Sequence, residues 1–306
     1  MSLNGKTILV LGGSGLLGSA LLNGLDCRGE EAVQRGATAP NRVFAPSHQE
    51  LDVLDFPALN RYISALEPDL IFNCVAYTQV DKAESEPEAA MRYNRDLPKI
   101  LGRLVQGSES FLIHYSTDFV FDGLKGAPYL PDDATAPLCV YGASKLAGEE
   151  ELKSLGLENC AVLRTAWLYG PGGRNFVRTI LGVCARDGVA RVVQDQSGSP
   201  TYSRDLAGWS LKFAENPQNG IYHAVNSGGT SWYGLAAAAV NLAMPHCSVQ
   251  PIYSAELDRP ARRPTCSVLD NSGFAARLGF ELRPWSEALQ EYLAEDGFLP
   301  NSPDEA

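Results

Sequence analysis

The sequence has no C-x-x-C pair, and none of its four histidines is paired with cysteines at the spacing that zinc ligands need. We therefore expect no metal site within the chain, while a divalent metal at a subunit interface stays open. The seven cysteines are scattered, several in apolar stretches such as FNCVAY and LENCAVLR. Buried free thiols indicate a reducing compartment, and no apolar leader follows Met1, so we expect a cytoplasmic protein.

Positive charge is also scarce. The chain has 25 Lys and Arg against 36 Asp and Glu, which gives a net charge of −11. Such an acidic chain is not expected to bind nucleic acid through a broad basic face. It contains no apolar run long enough to span a bilayer, so no membrane contact is expected. An anionic small substrate would need a local cationic pocket.

The N-terminal half alternates short apolar runs with helical patterns. The runs KTILVL, NRVFAP, DLIFNCVAY, SFLIHYST and CAVLRTAWLYG are typical of strands buried on both faces. This order predicts an α/β fold with a doubly wound parallel sheet, the Rossmann type. The pattern changes near residue 170. We expect a dinucleotide-binding domain over 1–170, with a return near 205–228, and a smaller substrate-binding region over 171–204 and 229–306.

A glycine-rich turn, LGGSGLLGSAL, lies close to the N-terminus. It can be read as G-x-G-x-x-G or, one residue earlier, as G-x-x-G-x-x-G. The strand before it ends at Leu11, so the turn begins at Gly12 and the second form is favoured. The backbone amides of Gly15, Leu16 and Leu17 are then expected to face a pyrophosphate at the N-terminus of the following helix. The residues expected at the cofactor are Gly12, Gly15, Leu16, Leu17 and Gly18.

The end of the second predicted strand bears on the choice of cofactor. No acidic residue that could hold the ribose hydroxyls of NAD follows this strand directly; the residues found there are Ser47 and His48. The absence of that acid favours NADPH, with NADH left open. Asp52 and Val53 lie further on, where the adenine edge is expected.

A tyrosine and a lysine share one face of a predicted helix in YGASKLAGE. Tyr141 is expected to act as an acid, and Lys145 to lower the pKa of that phenol. Upstream, Ser116 and Thr117 end a strand, where a hydroxyl can bind a substrate carbonyl and orient the tyrosine. The order of glycine turn, strand-end hydroxyl and Y-x-x-x-K predicts a nicotinamide-dependent enzyme.

Longer motifs carry a family resemblance over nearly the whole chain. Together they resemble the extended short-chain dehydrogenase/reductase family and, within it, the family of dTDP-4-dehydrorhamnose reductases. Two positions depart from the pattern: Phe119 stands where a tyrosine is common, and Cys266 where an asparagine is common. The motifs are NCVAYTQVDKAESEP, HYSTDFVFDG, PLCVYGASKLAGE, LRTAWLYGPGGRNFV, DQSGSPTYSRDLA, GIYHAVNSGGTSWYGLA and RPTCSVLD.

The resemblance implies roles for individual residues. Tyr141 is the implied proton donor, Lys145 its partner, and Thr117 the hydroxyl that tunes the tyrosine. Ala76, Tyr77 and Thr78 form the implied cofactor-lining turn. Among the run Arg259, Arg262 and Arg263, the last is implied to bind diphosphate. The implied substrate-binding residues are Thr117, Asp118, Trp167, Asn175, Phe176, Gln196, Arg263 and Ser267.

The implied activity is NAD(P)H-dependent reduction of the C4 keto group of dTDP-4-dehydro-L-rhamnose to dTDP-L-rhamnose, which serves cell-envelope polysaccharide synthesis. Two alternatives stay open. One is an epimerase or dehydratase of the same fold that acts on another sugar nucleotide. The other is a non-catalytic NADP-binding subunit similar to the regulatory subunit of methionine adenosyltransferase. Homodimers are common in this fold, and the sequence leaves the oligomeric state open.

Overall fold

The computed structural model describes residues 3–34 and 41–299. The strands are β1 (Thr7–Leu11), β2 (Arg42–Phe44), β3 (Leu70–Asn73), β4 (Phe111–Thr117), β5 (Cys160–Thr165), β6 (Leu168–Tyr169), β7 (Val189–Val193), β8 (Ser197–Gly198), β9 (Thr201–Tyr202), β10 (Gly220–His223), β11 (Thr230–Ser231) and β12 (Ser248–Ile252). The α-helices are α1 (Leu16–Gln34), α2 (Phe56–Leu66), α3 (Val80–Ala83), α4 (Pro87–Met91), α5 (Leu97–Val105), α6 (Val140–Ser154), α7 (Phe176–Asp187), α8 (Ser203–Ala214), α9 (Trp232–Ala243), α10 (Ser272–Leu278) and α11 (Trp285–Glu295).

Within the described residues, a parallel sheet of six strands has the order β10-β5-β4-β3-β1-β2. The α/β fold with a doubly wound parallel sheet is thereby confirmed. The direction of winding reverses between β1 and β3, and a crevice forms at the carboxyl ends of strands at such a point. The sheet does not end with CAVLRTAWLYG: that run is divided into β5 and β6, and β10 forms the edge.

Alternate residues of the strands cover opposite faces of the sheet. Ile8 and Val10 of β1 pack with residues of α1, α8 and α10 on one face. Leu9 and Leu11 pack with residues of α2 and α5 on the other. All four have no exposed surface, and full burial of such a side chain stabilises the fold by about 1.5–3 kcal/mol. Continuous apolar strands are therefore stable here because helices cover both faces.

The helical stretch between β3 and β4 is interrupted. A π-helical turn at Arg92–Asp96 lies between α4 and α5, and Pro98, which has no backbone N–H to donate, follows in the first turn of α5. The buried Asn94 in this turn accepts a hydrogen bond from the Tyr77 amide at 2.9 Å and donates one to the Tyr77 carbonyl at 3.0 Å. Through these two hydrogen bonds, Asn94 ties the helix to the chain that follows β3.

A second apolar core lies in the C-terminal part of the chain. It is built from α7, α9 and α11 together with β7 and β9, and includes the fully buried Tyr292 and Leu289. β7 pairs with β12, and β8 with β11, outside the main sheet. The domain boundaries stay a prediction, and their terminal residues 1–2 and 300–306 lie outside the described part of the chain.

Candidate active site

A cavity of about 840 Å³ opens at the carboxyl ends of the sheet strands, between the two cores. It is lined by Gly15, Leu16, Leu17, Gly18, Cys74, Ala76, Thr78, Val80, Tyr115, Ser116, Thr117, Asp118, Phe119, Tyr141, Lys145, Thr165, Ala166, Trp167, Leu168, Arg174, Phe176, Thr179, Ile180, Arg191, Val192, Val193, Trp232, Leu257, Arg259 and Arg263. Most of the predicted site residues therefore meet in one place.

The glycine turn forms one end of the cavity. Gly12 has a φ of +80°, and a Cβ on Gly18 would come within 2.1 Å of the Gly12 carbonyl oxygen. Both positions need glycine, as the G-x-x-G-x-x-G form predicts. One expectation needs correction: the Gly15 amide donates to the Gly12 carbonyl at 3.1 Å, so it is used within the turn. The amides of Leu16 and Leu17, at the start of α1, remain suited to a phosphate.

Two hydroxyls on neighbouring strands line the cavity without a partner. Ser116 Oγ and Thr165 Oγ1 are buried and make no hydrogen bond. A buried unpaired hydroxyl is unfavourable unless a ligand or water satisfies it. These two oxygens therefore mark a polar part of the cavity wall. Thr165 was not singled out from the sequence, although it ends β5 as Thr117 ends β4.

Tyr141 lies in the first turn of α6, against the turn that follows β4. A Cβ on Gly142 would come within 2.2 Å of the Phe119 carbonyl oxygen, so glycine permits this close approach. The Phe119 ring packs edge-on against the Tyr141 ring, with centroids 5.6 Å apart. Burial raises the pKa of Tyr141, and the Thr117 hydroxyl partly offsets this. The phenol is therefore protonated at neutral pH and can act as an acid.

Lys145 is buried one helical turn further along α6. Its Nζ donates to the Tyr115 carbonyl at 2.5 Å and lies 3.4 Å from His114 Nε2. Burial lowers the pKa of Lys145 to about 8. The expected effect of Lys145 on the pKa of Tyr141 stays a prediction. The sequence did not point to His114, which is a buried strand residue.

Asp118 is a buried carboxyl group in the cavity wall. Ser267 donates to its Oδ2 at 2.5 Å and Thr117 to its Oδ1 at 3.1 Å. Burial raises the pKa of Asp118 to about 6, although both hydrogen bonds act in the opposite direction. Ser267, predicted as a substrate residue, lies outside the cavity lining and holds Asp118 from behind.

An aromatic wall covers the other side of the cavity. Trp167 follows β5 in a left-handed conformation, with a φ of +47°. Its indole stacks on Trp232 at a centroid distance of 3.6 Å and an angle of 6°, and Phe176 packs on Trp232 at 4.5 Å. The structure thus places the predicted Trp167 and Phe176 in the lining and adds Trp232, which sequence reasoning missed. Flat apolar rings of this kind suit a sugar face or a base.

Four arginines contribute to the lining. Arg263 Nη2 pairs with Asp81 Oδ2 at 2.8 Å, and Arg191 Nη2 pairs with Glu256 Oε2 at 2.9 Å. Burial lowers the pKa of Arg259, and the charge of Arg263 adds to this effect. Arg174 and Arg191 were missed from the sequence; a single arginine within the apolar run VARVV was an available signal. The cavity is cationic in an otherwise acidic chain.

Several predicted residues have partners within the protein and do not line the cavity. Asn175 caps α7 by accepting from the Arg178 amide at 3.0 Å. Gln196 Nε2 donates to Ser254 Oγ at 2.7 Å, and the Tyr77 hydroxyl donates to Glu86 at 2.7 Å. Gly12 lies behind the turn that it shapes. Ligand contacts by these residues stay a prediction.

The residues after β2 also lie outside the cavity. The Ser47 amide and hydroxyl both donate to the Glu50 carboxylate, each at 2.8 Å. Glu50, six residues after β2, therefore lies beside Ser47, while no acid follows β2 directly. His48 and Asp52 are exposed and Val53 is half-buried. Their contacts with a cofactor stay a prediction.

Two absences hold for the described residues alone. Among residues 3–34 and 41–299, no group of three or more His, Cys, Asp and Glu side chains is arranged to hold a metal ion. In the same part of the chain, every helix is too short or too polar to cross a membrane.

Comparisons with known proteins agree with the site. Residues 6–297 match the family model described as RmlD substrate binding domain. A dTDP-4-dehydrorhamnose reductase of Streptomyces griseus is 39% identical over 289 residues, which cover 92% of this chain and 91% of that protein. One from Mycolicibacterium smegmatis is 38% identical and covers 97% and 90%. The crystal structure of dTDP-4-dehydrorhamnose reductase from Bacillus anthracis in complex with NADP has a TM-score of 0.86 at 29% identity, covering 96% of this chain and all of that one (100%). The chain belongs to the dTDP-4-dehydrorhamnose reductase family.

Proposed function

We propose that this chain is an NADPH-dependent reductase of the C4 keto group of dTDP-4-dehydro-L-rhamnose, and that its product is dTDP-L-rhamnose. One observation carries the proposal: the glycine turn, the Thr117–Tyr141–Lys145 group and the arginines line a single cavity. The substrate named here is that of the relatives of similar length. The sugar would serve cell-envelope polysaccharide synthesis.

The residues present fit a nicotinamide dinucleotide. Gly18 lets α1 pack closely against the glycine turn, and the amides of Leu16 and Leu17 at the start of that helix suit its pyrophosphate. The unpaired Ser116 and Thr165 hydroxyls supply hydrogen bonds for a polar group deeper in the cavity. When bound, NADPH supplies a hydride. The cofactor of the Bacillus anthracis relative is NADP, and NADH stays an alternative for this chain.

Tyr141 is the proposed acid. Reduction of a C4 carbonyl places negative charge on its oxygen, and a proton from the Tyr141 hydroxyl neutralises that charge. The Thr117 hydroxyl, whose influence partly offsets the rise in the Tyr141 pKa, is the proposed group that orients this phenol. Asp118, held by Ser267, accepts hydrogen bonds from sugar hydroxyls in its ionised form. Each group belongs to the turn after β4 or to the helix that packs on that turn.

The remote end of the substrate is proposed to bind the cationic part of the cavity. Arg259 and Arg263 suit a diphosphate because their forked donors match its oxygens. Trp167 and Trp232 suit the sugar or the base. Binding energy from the nucleotide then holds the keto carbon in place for reduction.

The direct test is NADPH oxidation with dTDP-4-dehydro-L-rhamnose, made from dTDP-glucose by a dehydratase and an epimerase. We expect one NADPH consumed per product, and loss of at least about 100-fold in kcat for Tyr141→Phe. The matched control is Tyr253→Phe, because Tyr253 is 58% exposed and outside the cavity. Wild-type turnover by Tyr141→Phe would contradict the role of Tyr141.

The same assay separates the alternatives. An epimerase or dehydratase regenerates its nicotinamide, so conversion of a sugar nucleotide without net NADPH oxidation would favour that class. Binding of NADPH without turnover of any keto sugar, together with co-purification of a synthetase, would favour a regulatory subunit. Cytoplasmic location and a homodimer remain proposals, to be tested by cell fractionation and by light scattering.

A further inference from the structure

A short chain of hydrogen bonds runs from the backbone after β3 to Lys145. The Val75 amide donates to Asn73 Oδ1 at 3.3 Å. Asn73 Nδ2 lies 3.0 Å from His114 Nδ1, and His114 Nε2 lies 3.4 Å from Lys145 Nζ. Asn73 and Lys145 are at most 2% exposed, and His114 has no exposed surface. The proposed mechanism does not use Asn73 or His114.

The direction of this chain follows from its first member. A backbone N–H can only donate, so Asn73 turns its oxygen toward Val75 and its NH₂ group toward His114. His114 Nδ1 must then accept. In a neutral imidazole the other nitrogen carries the proton, so Nε2–H faces Lys145. The opposite tautomer would set an N–H of His114 against the NH₂ of Asn73, both buried, which is unfavourable.

We propose that His114 is a positioning residue: Asn73 fixes its tautomer, and its Nε2–H then favours the form of Lys145 that carries a lone pair. A neutral amine can accept a hydrogen bond from this N–H while it donates one to the Tyr115 carbonyl. An ammonium group has no lone pair, so it cannot accept from the Nε2–H. The ring therefore stabilises the amine that remains when Lys145 gives up a proton. Its value for catalysis rests on the proposed function, but the tautomer does not.

The consequence concerns the return of a proton to Tyr141. After Tyr141 has protonated the sugar oxygen, a phenolate remains. Under the proposed function, the ammonium form of Lys145 supplies this proton by way of water, which leaves a neutral amine that water then protonates again. A lysine with its pKa near 8 makes both transfers feasible near neutral pH.

Other groups also act on Lys145. Burial lowers its pKa, whereas Glu149 on α6 and Cys74 after β3 raise it. Burial, followed by the charge of Lys145, holds the pKa of His114 well below its ordinary value, so the ring is neutral. Tyr141 shares the helix and Asp118 acts on Tyr141. The test must therefore change the tautomer without altering these groups.

The first measurement is nitrogen NMR of ¹⁵N-histidine-labelled full-length protein. The ring signals of His114 are identified by their loss in His114→Gln. We expect a protonated Nε2 and an unprotonated Nδ1 in the wild-type protein. A protonated Nδ1, or an imidazolium at neutral pH, would overturn the proposal. This reading needs no activity, so it stands apart from failure of the proposed function.

The second measurement uses Asn73→Asp, whose carboxylate accepts from Nδ1–H and thereby turns the Nε2 lone pair toward Lys145. We expect Nδ1 of His114 to be protonated and Nε2 to be unprotonated in this variant. We also expect the alkaline limb of the pH profile of kcat to move up by about one pH unit or more. Asn60→Asp, on the exposed face of α2, controls for added charge and should move neither. An Asn73→Asp ring that keeps Nε2–H, or an unmoved limb in an active variant, would overturn the proposal. If Asn73→Asp does not fold, the wild-type spectrum decides alone.

Discussion

The indole of Trp167 lies directly against the backbone of Gly198. A Cβ built on Gly198 would come within 2.4 Å of Trp167 Cε2, a separation that no packing tolerates. β8, which holds Gly198, pairs with β11, and α9 begins with Trp232 immediately after β11. One two-stranded ribbon therefore supports Trp167 from Gly198 and from the stacked Trp232.

Gly198→Ala should displace Trp167 from this position. We expect weaker binding of the substrate, with KM raised about 10-fold, because overpacking at such a site costs about 1–3 kcal/mol. The checks are steady-state kinetics and the tryptophan fluorescence of the folded protein. Gly208→Ala is the control, since a Cβ there meets nothing within 4 Å. Equal KM values for the two variants would show that Gly198 does not hold Trp167.

Gly15→Ala and Gly18→Ala should fail in different ways. The methyl group at position 18 would press on the Gly12 carbonyl oxygen, and we expect a loss of about 2 kcal/mol or more in unfolding free energy. At position 15 the same contact is 3.4 Å, so the fold should persist while NADPH binding weakens. Thermal melts and NADPH titration separate the two effects. A Gly18→Ala protein as stable as wild type would contradict the crowding at this turn.

Asp118→Asn should stabilise the protein at neutral pH but not at pH 4. The pKa of Asp118 is about 6 in the folded state and 3.8 in its ordinary range. Between pH 3.8 and about 6 the folded protein keeps a proton on Asp118 that the unfolded chain has released. Wild-type stability therefore falls as pH rises through this window. The difference between the two pKa values corresponds to a loss of about 3 kcal/mol in the free energy of unfolding above pH 6.

Denaturant unfolding at pH 4, 5, 6 and 7 measures this effect. Asp26→Asn, on an exposed position of α1, should show no comparable trend. A constant stability difference between Asp118→Asn and wild type across this range would mean that the carboxyl group is not protonated in the folded state near pH 5.

Arg259→Gln should weaken the binding of dTDP and of the substrate while leaving the affinity for NADPH near that of wild type. A hydrogen bond to a charged group contributes about 1.5–3 kcal/mol, so we expect Kd for dTDP to rise about 10- to 100-fold. Calorimetry with dTDP measures this directly. Arg61→Gln, on the exposed face of α2, is the control. Unchanged dTDP affinity in Arg259→Gln would show that the diphosphate binds elsewhere in the cavity.

Local pattern predicted the main sheet and the residues at its strand ends. Thr117 and the glycine turn follow apolar runs directly, and the carboxyl ends of parallel strands meet at one edge. Tyr141 and Lys145 follow from helical spacing. These features depend on short stretches of chain, and for that reason one sequence suffices to place them.

Long-range packing was beyond the reach of the sequence pattern. Ser267 contacts Asp118 rather than the cavity, across 149 residues of chain. Glu50 reaches Ser47 because one turn of chain folds back, which a search for an acid directly after the strand does not find. The buried His114 looks like any strand residue until Asn73 and Lys145 are seen on either side of it.

The second core is built from two stretches of chain, one before β10 and one after it. The chain leaves the main sheet after β5 and returns to it as β10, and these two strands are hydrogen-bonded neighbours. The first stretch is thus anchored at two adjacent points on one edge of the sheet, whereas the second stretch follows β10. The cavity arginines are divided between these stretches, since Arg174 and Arg191 precede β10 and Arg259 and Arg263 follow it, so an anion bound to both pairs would join the two stretches across the cavity.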